Sequence, residues 1–183
     1  MTQRGFATVE FLGERTKQEI EPSTTYGVLR AQKEFSEGFR GLGFIATGVF
    51  RNMHSLDLEN RLPTEAFTLA VDGWSFLDKN RTWVITGWLG GTVVSGNQSA
   101  IKRLQLSSLH YFQRPDADYV HVDPEATSLR GWAGRIYLNK QKGNFIFNAA
   151  LGAISPGFNA MNLGYHSPGD IINGHVEAGY RSL

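Results

Sequence analysis

Runs in which apolar and polar side chains alternate recur along most of the chain. A period of two places alternate side chains on opposite faces of a β-strand, so each run predicts a strand. The runs cover residues 4–12, 24–33, 40–51, 65–77, 82–94, 130–140, 144–154 and 170–181. The sequence therefore predicts an all-β, antiparallel chain of about eight strands.

The segments between these runs alternate in length. The short ones are polar, as hairpin turns are, and the others are much longer. The short segments are residues 34–39, 78–81 and 141–143, and the long ones are residues 13–23, 52–64, 95–129 and 155–169. A roughly helical spacing of apolar residues predicts a short helix within residues 98–110, at Ile101, Leu104, Leu106 and Leu109. Residues 52–64 could contain one helical turn.

Short turns on one rim and long loops on the other are typical of outer-membrane β-barrels. We therefore predict a transmembrane β-barrel of outer-membrane type, with residues 1–183 as one barrel domain or barrel fragment and residues 95–129 as a long outer loop. A soluble β-sandwich also alternates, but its connections need not sort by rim. Because residues 13–23 form a long connection in this interpretation, both termini should lie at the rim of short turns.

Composition adds several constraints. The chain has 21 glycines, 12 phenylalanines, six tyrosines and four tryptophans, which suit strands and tight turns. A net charge of +1 gives no general basic field, so nucleic acid is not a predicted partner. The absence of cysteine excludes disulfides and thiolate metal sites. No run approaches the about 18 consecutive apolar residues of a membrane helix.

Several short motifs in the second half of the chain occur in a fixed order. They are Tyr111-Phe112-Gln113-Arg114-Pro115-Asp116-Ala117, Asp123-Pro124, Thr127-Ser128-Leu129-Arg130-Gly131, Ser155-Pro156-Gly157-Phe158-Asn159 and Leu163-Gly164-Tyr165. Together they resemble an uncharacterised bacterial family of outer-membrane barrels whose N-terminal part is a family-nine carbohydrate-binding module. The resemblance runs from residue 24 to residue 165 and concerns the C-terminal barrel part alone. Asn162 stands where the family has an acidic residue.

The resemblance implies a location in the bacterial outer membrane, a lipid bilayer as surroundings and an association with carbohydrate, but no established activity. It also implies that the chain is a fragment, without the N-terminal module and with further barrel strands missing. No signal peptide is present, and the chain ends in leucine rather than an aromatic residue. We expect a structural, solute-binding or transport role with a saccharide as the candidate ligand. The alternative is a soluble carbohydrate-binding or glycoside-hydrolysing β-domain.

Charged residues of the last strands are the first candidate site. Arg135, His175, Glu177 and Arg181 should share one face of the sheet. In a barrel this face would line a wet lumen, where such a charge ladder is ordinary. Alternatively, these four residues could form a proton relay or a substrate groove.

The long loop carries the second group of candidates. They are Arg114, Asp116, Asp118, His121 and Asp123. Their carboxylates, together with that of Glu125, could hold calcium, but the spacing matches no defined calcium loop, and loop aspartates commonly cap turns. A glycosidase needs a defined carboxylate pair, which the sequence does not single out. We therefore predict no metal, cofactor or catalytic residue.

The long loop is also too apolar to extend into water. Leu104, Leu106, Leu109, Tyr111 and Phe112 would form a contiguous exposed patch. We therefore predict that residues 100–118 fold back and pack these side chains against the barrel rim or into its lumen, with Arg114 paired to a carboxylate such as Glu177 or Asp116.

Overall fold

The computed structural model describes residues 1–160 and 168–182. Within them lie nine strands and two short helices. They are β1 (Gly5–Phe11), β2 (Glu14–Glu21), β3 (Ser23–Phe35), β4 (Arg40–Asn52), α1 (Leu56–Arg61), β5 (Glu65–Phe76), β6 (Trp83–Ser95), α2 (Gln98–Gln105), β7 (Ser128–Lys140), β8 (Phe145–Ile154) and β9 (Ile171–Tyr180). The all-β, antiparallel prediction is confirmed, and both predicted helical segments are present. The count of eight strands is wrong by one.

The strand that the sequence pattern missed is β2. Its residues are almost all charged or polar, so no apolar alternation marks it. It pairs antiparallel with β1 through the turn Leu12-Gly13, where both residues have positive φ values of 51° and 84°. Positive φ at both central residues is the geometry of a two-residue type I′ hairpin. Residues 13–23 therefore consist mainly of the second strand of a hairpin and do not form a long loop.

This N-terminal hairpin lies beside the long connections. A β-bridge joins Thr2 to Thr24 at the start of β3. The buried carboxylate of Glu19 is 2.7 Å from Arg4 Nε and accepts a hydrogen bond from the His54 backbone N–H at 2.9 Å. His54 belongs to the connection that follows β4. The prediction that the N-terminus lies at the rim of short turns is therefore wrong.

The other seven strands form one antiparallel sheet in the order β3-β4-β5-β6-β7-β8-β9. Every strand pairs with its neighbours in sequence, so short turns and long loops do sort onto opposite rims. The last strand ends at the short-turn rim, where the Arg181 backbone N–H donates to the Asn144 carbonyl at 2.7 Å. In the described residues, β3 and β9 each pair on one side only, so the sheet is open and forms no closed barrel.

The strand ends are staggered across the sheet. The register places Phe35, the last residue of β3, level with Val176, and β9 continues past that level to Tyr180. At the other rim, β9 begins at Ile171, level with Arg30 in the interior of β3. The strands thus shift progressively toward the short-turn rim from β3 to β9.

The hydrophobic core lies at the long-loop end of one face of this sheet. Val49, Ala66, Val94 and Leu129 pack there around Ile101 of α2, and Leu104, Phe112 and Ala126 pack against this cluster. The predicted fold-back of the long loop is therefore confirmed for part of its apolar residues. Leu106 and Tyr111 remain exposed instead.

The connection after β8 docks on the same face. A Cβ built on Gly131 would lie 2.0 Å from the Phe158 backbone nitrogen, so only glycine allows the connection to approach β7 this closely. Next to it, the Asn159 backbone N–H donates to the Thr92 hydroxyl at 2.9 Å. Both long connections therefore cover one end of this face.

Candidate functional site

The two faces of the seven-stranded sheet differ in chemical character. Because directly paired residues point to the same side, the register assigns each side chain to a face. We call one side the apolar face; its exposed large side chains include Leu29, Leu42, Phe44, Leu69, Val71, Leu89, Trp132, Ile136, Leu151, Ile172 and Val176. We call the other the polar face; it carries Arg30, Gln32, Asp72, Trp88, Arg135, Asn139, Asn148, Asn173, His175 and Glu177.

Aromatic residues concentrate toward the two ends of the apolar face. Near the long loops, the rings of Phe50 and Phe67 meet edge to face with centroids 5.2 Å apart. Near the short turns, Trp83 and Phe147 are 5.8 Å apart. The charged residues of this face also lie toward its ends, at Lys33, Arg40, Glu65, Arg130 and Lys140. The middle of the face is mainly aliphatic.

One row of the polar face carries two of its ionic groups, Asp72 and Arg135. Paired positions run from Gln32 on β3 through Asp72, Trp88 and Arg135 to Asn173 on β9. Arg30 forms a two-pronged ion pair with Asp72, in which Nη2 donates to Oδ2 at 2.8 Å. At the other end of the row, Arg135 Nη1 donates to Asn173 Oδ1 at 2.7 Å. Trp88 lies between these two guanidinium groups.

A chain of neutral polar groups orients Arg135. Its Nη2 donates to His175 Nδ1 at 3.2 Å. Since Nδ1 accepts, Nε2 carries the imidazole proton and donates it to Asn148, whose amide in turn donates to Asn139. The guanidinium also lies 5.1 Å from the centroid of the Tyr137 ring. In the described residues, no carboxylate lies within 4 Å of Arg135.

The structure brings together only part of the predicted ladder. Arg135 and His175 are hydrogen-bonded, and Glu177 shares their face without an ion pair in the described residues. Arg181 lies just beyond the end of β9. Sequence reasoning missed Asp72 and Trp88, because placing them beside Arg135 requires the register of three strands. The one available signal was a charged residue, Asp72, in the interior of a largely apolar strand.

In the long loop, Arg114 is held by Asp170 at the start of β9. Arg114 Nη2 contacts Asp170 Oδ2 and donates to the Tyr119 hydroxyl at 2.8 Å, and that hydroxyl donates to Asp170 at 2.6 Å. The hydrogen bond to Asp170 raises the pKa of Tyr119. The predicted partner Glu177 is wrong, because it lies toward the short-turn end of β9. Asp116, the other predicted partner, is 3.7 Å from Arg114 and mostly exposed.

His110 fastens the long loop to the connection after β8. The Pro156 carbonyl accepts from His110 Nδ1 at 2.8 Å, and Asn159 Nδ2 donates to His110 Nε2 at 3.1 Å. A carbonyl can only accept and an amide nitrogen can only donate, so this arrangement fits the neutral imidazole. Burial lowers the pKa of His110 below its usual value, although the Pro156 carbonyl acts in the opposite direction.

The acidic residues of the loop do not converge. Asp116, Asp118, His121 and Asp123 are all exposed. Asp123 Oδ1 accepts from the Glu125 backbone N–H at 2.9 Å, which is a local turn-capping contact. Within residues 1–160 and 168–182, no three acidic or histidine side chains approach closely enough to hold a metal ion.

Comparisons with known proteins identify no relative of the chain. No family model matches the sequence, and neither a curated protein nor a solved structure matches it. No helix in the described residues is long and apolar enough to cross a membrane. Asn162 and the motif Leu163-Gly164-Tyr165 lie outside the described residues.

The Arg114 contacts predict how the long loop responds to substitution. Arg114→Ala or Asp170→Asn should expose residues 98–123 to limited proteolysis up to about tenfold faster, because about 1.4 kcal/mol of local stability is worth a factor of ten. Asparagine tolerates the positive φ of 58° at Asp170, so that variant removes charge without added strain. Asp116→Asn is the matched control and should leave the cleavage rate unchanged. Equal cleavage of the wild type and all three variants would contradict this account.

The buried imidazole of His110 predicts a loss of stability in acid. Its pKa is lowered in the folded state, so the unfolded chain binds the proton more readily, and stability falls as pH drops through the unfolded value of about 6.5. The free energy of unfolding in urea, measured at pH 7.5 and 5.5, should therefore fall more for the wild type than for His110→Gln. The other four histidines remain in both proteins, so the difference isolates His110. An equal fall in both would show that His110 does not contribute.

Proposed function

We propose that this chain is part of a bacterial outer-membrane β-barrel, whose apolar face contacts lipid and whose polar face lines a lumen that binds or admits a solute. The observation that carries the proposal is the apolar face itself. Its large side chains are exposed from β3 to β9, and no element of the described residues packs over them. The core of the chain lies instead at one end of the opposite face.

The size of the apolar face argues against exposure to water. The largest apolar patch of a soluble monomer is usually about 300–600 Å². Eleven large aliphatic or aromatic side chains on the middle of this face exceed that area, and burying each one fully would be worth about 1.5–3 kcal/mol. A lipid bilayer provides this burial for a single layer of strands. A soluble β-domain would need a second layer over the same face.

The dimensions of the strands fit a bilayer. β3, β4, β6 and β7 each have 13 residues. At about 3.3 Å per residue such a strand is roughly 43 Å long, and a tilt of about 45° reduces its span to roughly 30 Å, the thickness of the hydrocarbon layer. The stagger of the strand ends is what tilted barrel strands require.

The distribution of aromatic and charged residues also supports a membrane location. Transmembrane barrels have an aliphatic band between two girdles of aromatic residues, with short turns on the periplasmic side and longer loops outside. The pairs Phe50–Phe67 and Trp83–Phe147 mark the two ends of the apolar face, and its charges lie toward the same ends. By this comparison the long loop, with Arg114, lies on the outer side.

Closure of such a barrel needs further strands. In an antiparallel sheet of seven strands, the edge strands β3 and β9 run in the same direction. Antiparallel closure therefore requires an odd number of additional strands, and bacterial barrels have even totals. This supports the proposal that the chain is a fragment of a larger barrel. A carbohydrate-associated role for the whole protein rests on the family resemblance alone.

Two tryptophans on opposite faces test the membrane location. Trp132 on the apolar face and Trp88 on the polar face are 52% and 40% exposed, so they form a matched pair. In variants that keep one of them and replace the other three tryptophans by phenylalanine, fluorescence is measured in lipid vesicles. Trp132 should be quenched by lipids brominated on their acyl chains, and Trp88 by aqueous acrylamide.

The opposite pattern, or equal quenching of both tryptophans by acrylamide with no effect of brominated lipids, would refute the proposal. That result would favour the alternative function, a soluble carbohydrate-binding or glycoside-hydrolysing β-domain. Retention of strand structure, checked by circular dichroism, shows that the substitutions have not unfolded the protein.

A further inference from the structure

Trp88 is an unusual residue on the polar face. Its indole is 40% exposed, and its paired neighbours are Asp72 on β5 and Arg135 on β7. The next row toward the long loops carries only small residues beside it, Ala70, Gly90 and Ala133. An aromatic side chain that serves packing would be covered by larger neighbours. Here the neighbours toward the long loops are small, and the residues paired with Trp88 on the two adjacent strands, Asp72 and Arg135, are ionic.

Arg30 and Arg135 do not cover the indole, because each side chain passes close to the sheet over a glycine. A Cβ on Gly43 would be 2.7 Å from Arg30 Nη2, and a Cβ on Gly152 would be 3.1 Å from Arg135 Cγ. Each side chain can therefore extend across one strand to partners two strands away. Arg30 crosses β4 to reach Asp72 on β5, and Arg135 crosses β8 to reach Asn173 and His175 on β9. The Arg135 guanidinium thus lies on the far side of β7 from the indole, and neither arginine covers it.

The two sides of the indole differ in charge. Arg30 is neutralised by Asp72, whereas Arg135 is held by Asn173, His175 and Tyr137, which are neutral. Each Nη atom of Arg135 carries a second proton beyond the one that it donates to Asn173 or His175. A guanidinium with unused donors and no counter-ion is suited to a carboxylate, which it can bind with two parallel hydrogen bonds.

We propose that Trp88 and Arg135 form a binding site for an acidic saccharide. The C–H face of one sugar ring packs on the indole, a hydroxyl donates to Asp72, and a carboxylate of the saccharide reaches across β7 to Arg135. A saccharide fits better than an aromatic carboxylate, because its hydroxyls can also donate to the remaining lone pairs of Asp72, which an aromatic ring cannot do. The inference rests on the proposed function in taking the polar face as open to solutes.

Calorimetry with two matched trisaccharides tests the site. The whole chain is titrated with trigalacturonate and with galactotriose in an amine-oxide detergent, whose head group cannot compete as a sugar. Hydrogen bonds to charged groups are worth about 1.5–3 kcal/mol, so we expect trigalacturonate to bind at least about tenfold more tightly. Equal affinity for the two, or tighter binding of phenylacetate than of trigalacturonate, would overturn the proposal.

Variants on both faces separate the role of Trp88 in packing on the sugar from the role of Arg135 in binding its carboxylate. Trp88→Ala should weaken binding of both trisaccharides about tenfold or more, whereas Arg135→Gln should remove the preference for the acidic one. Arg135→Lys keeps the charge and should retain part of that preference. The matched controls Trp132→Ala and Arg130→Gln lie on the apolar face and should change neither affinity. If Trp88→Ala binds both sugars like the wild type, the site is wrong.

The results of the trisaccharide titrations can be distinguished from those of the membrane test. If brominated lipids fail to quench Trp132 but the trisaccharide preferences hold, the membrane location is wrong and the saccharide site stands. If Trp132 is quenched and neither trisaccharide binds, the barrel stands and the site is refuted. Circular dichroism and thermal unfolding of each variant show whether a loss of binding follows from a loss of fold.

Discussion

Antiparallel pairing in a fixed register joins all seven strands of the sheet, and this register decides which side chains share a face. Because side chains alternate with a period of two, a shift of one residue in β6 would place Leu89 among the ionic groups, and the same shift in β7 would place Arg135 among the aliphatic ones. The observed register suits the side chains of both faces. It gathers aliphatic residues on one side and places Trp88 between two arginines on the other.

The long connections supply the core that a single-layered sheet lacks. α2 and the chain that follows it cover the long-loop end of the polar face, where Val49 and Val94 are completely buried around Ile101. Two polar contacts then fix these connections to each other and to β9, His110 with Pro156 and Arg114 with Asp170. In a barrel, this arrangement would narrow the outer mouth of the lumen while leaving the middle of the polar face open.

Local patterns predicted the strands of the main sheet, because each strand is apolar on one side. They failed for β2, which pairs only with β1 and has no apolar side to reveal it. They also failed to pair Arg114, because Asp170 is 56 residues away and reaches it only through the fold of both connections. The site around Trp88 was invisible for the same reason, since its members come from separate strands whose alignment no local signal gives.

An arginine placed in the middle of the apolar face tests the central claim most directly. Leu89 is 55% exposed, so arginine there should cost little in water, but about 2–4 kcal/mol near the middle of a bilayer. Thr86 lies on the polar face of the same strand and is the matched control. The measurement is the free energy of unfolding by urea from lipid vesicles. We predict that Leu89→Arg loses about 2–4 kcal/mol and Thr86→Arg less than about 1 kcal/mol; a Leu89→Arg variant as stable as the wild type would contradict the account.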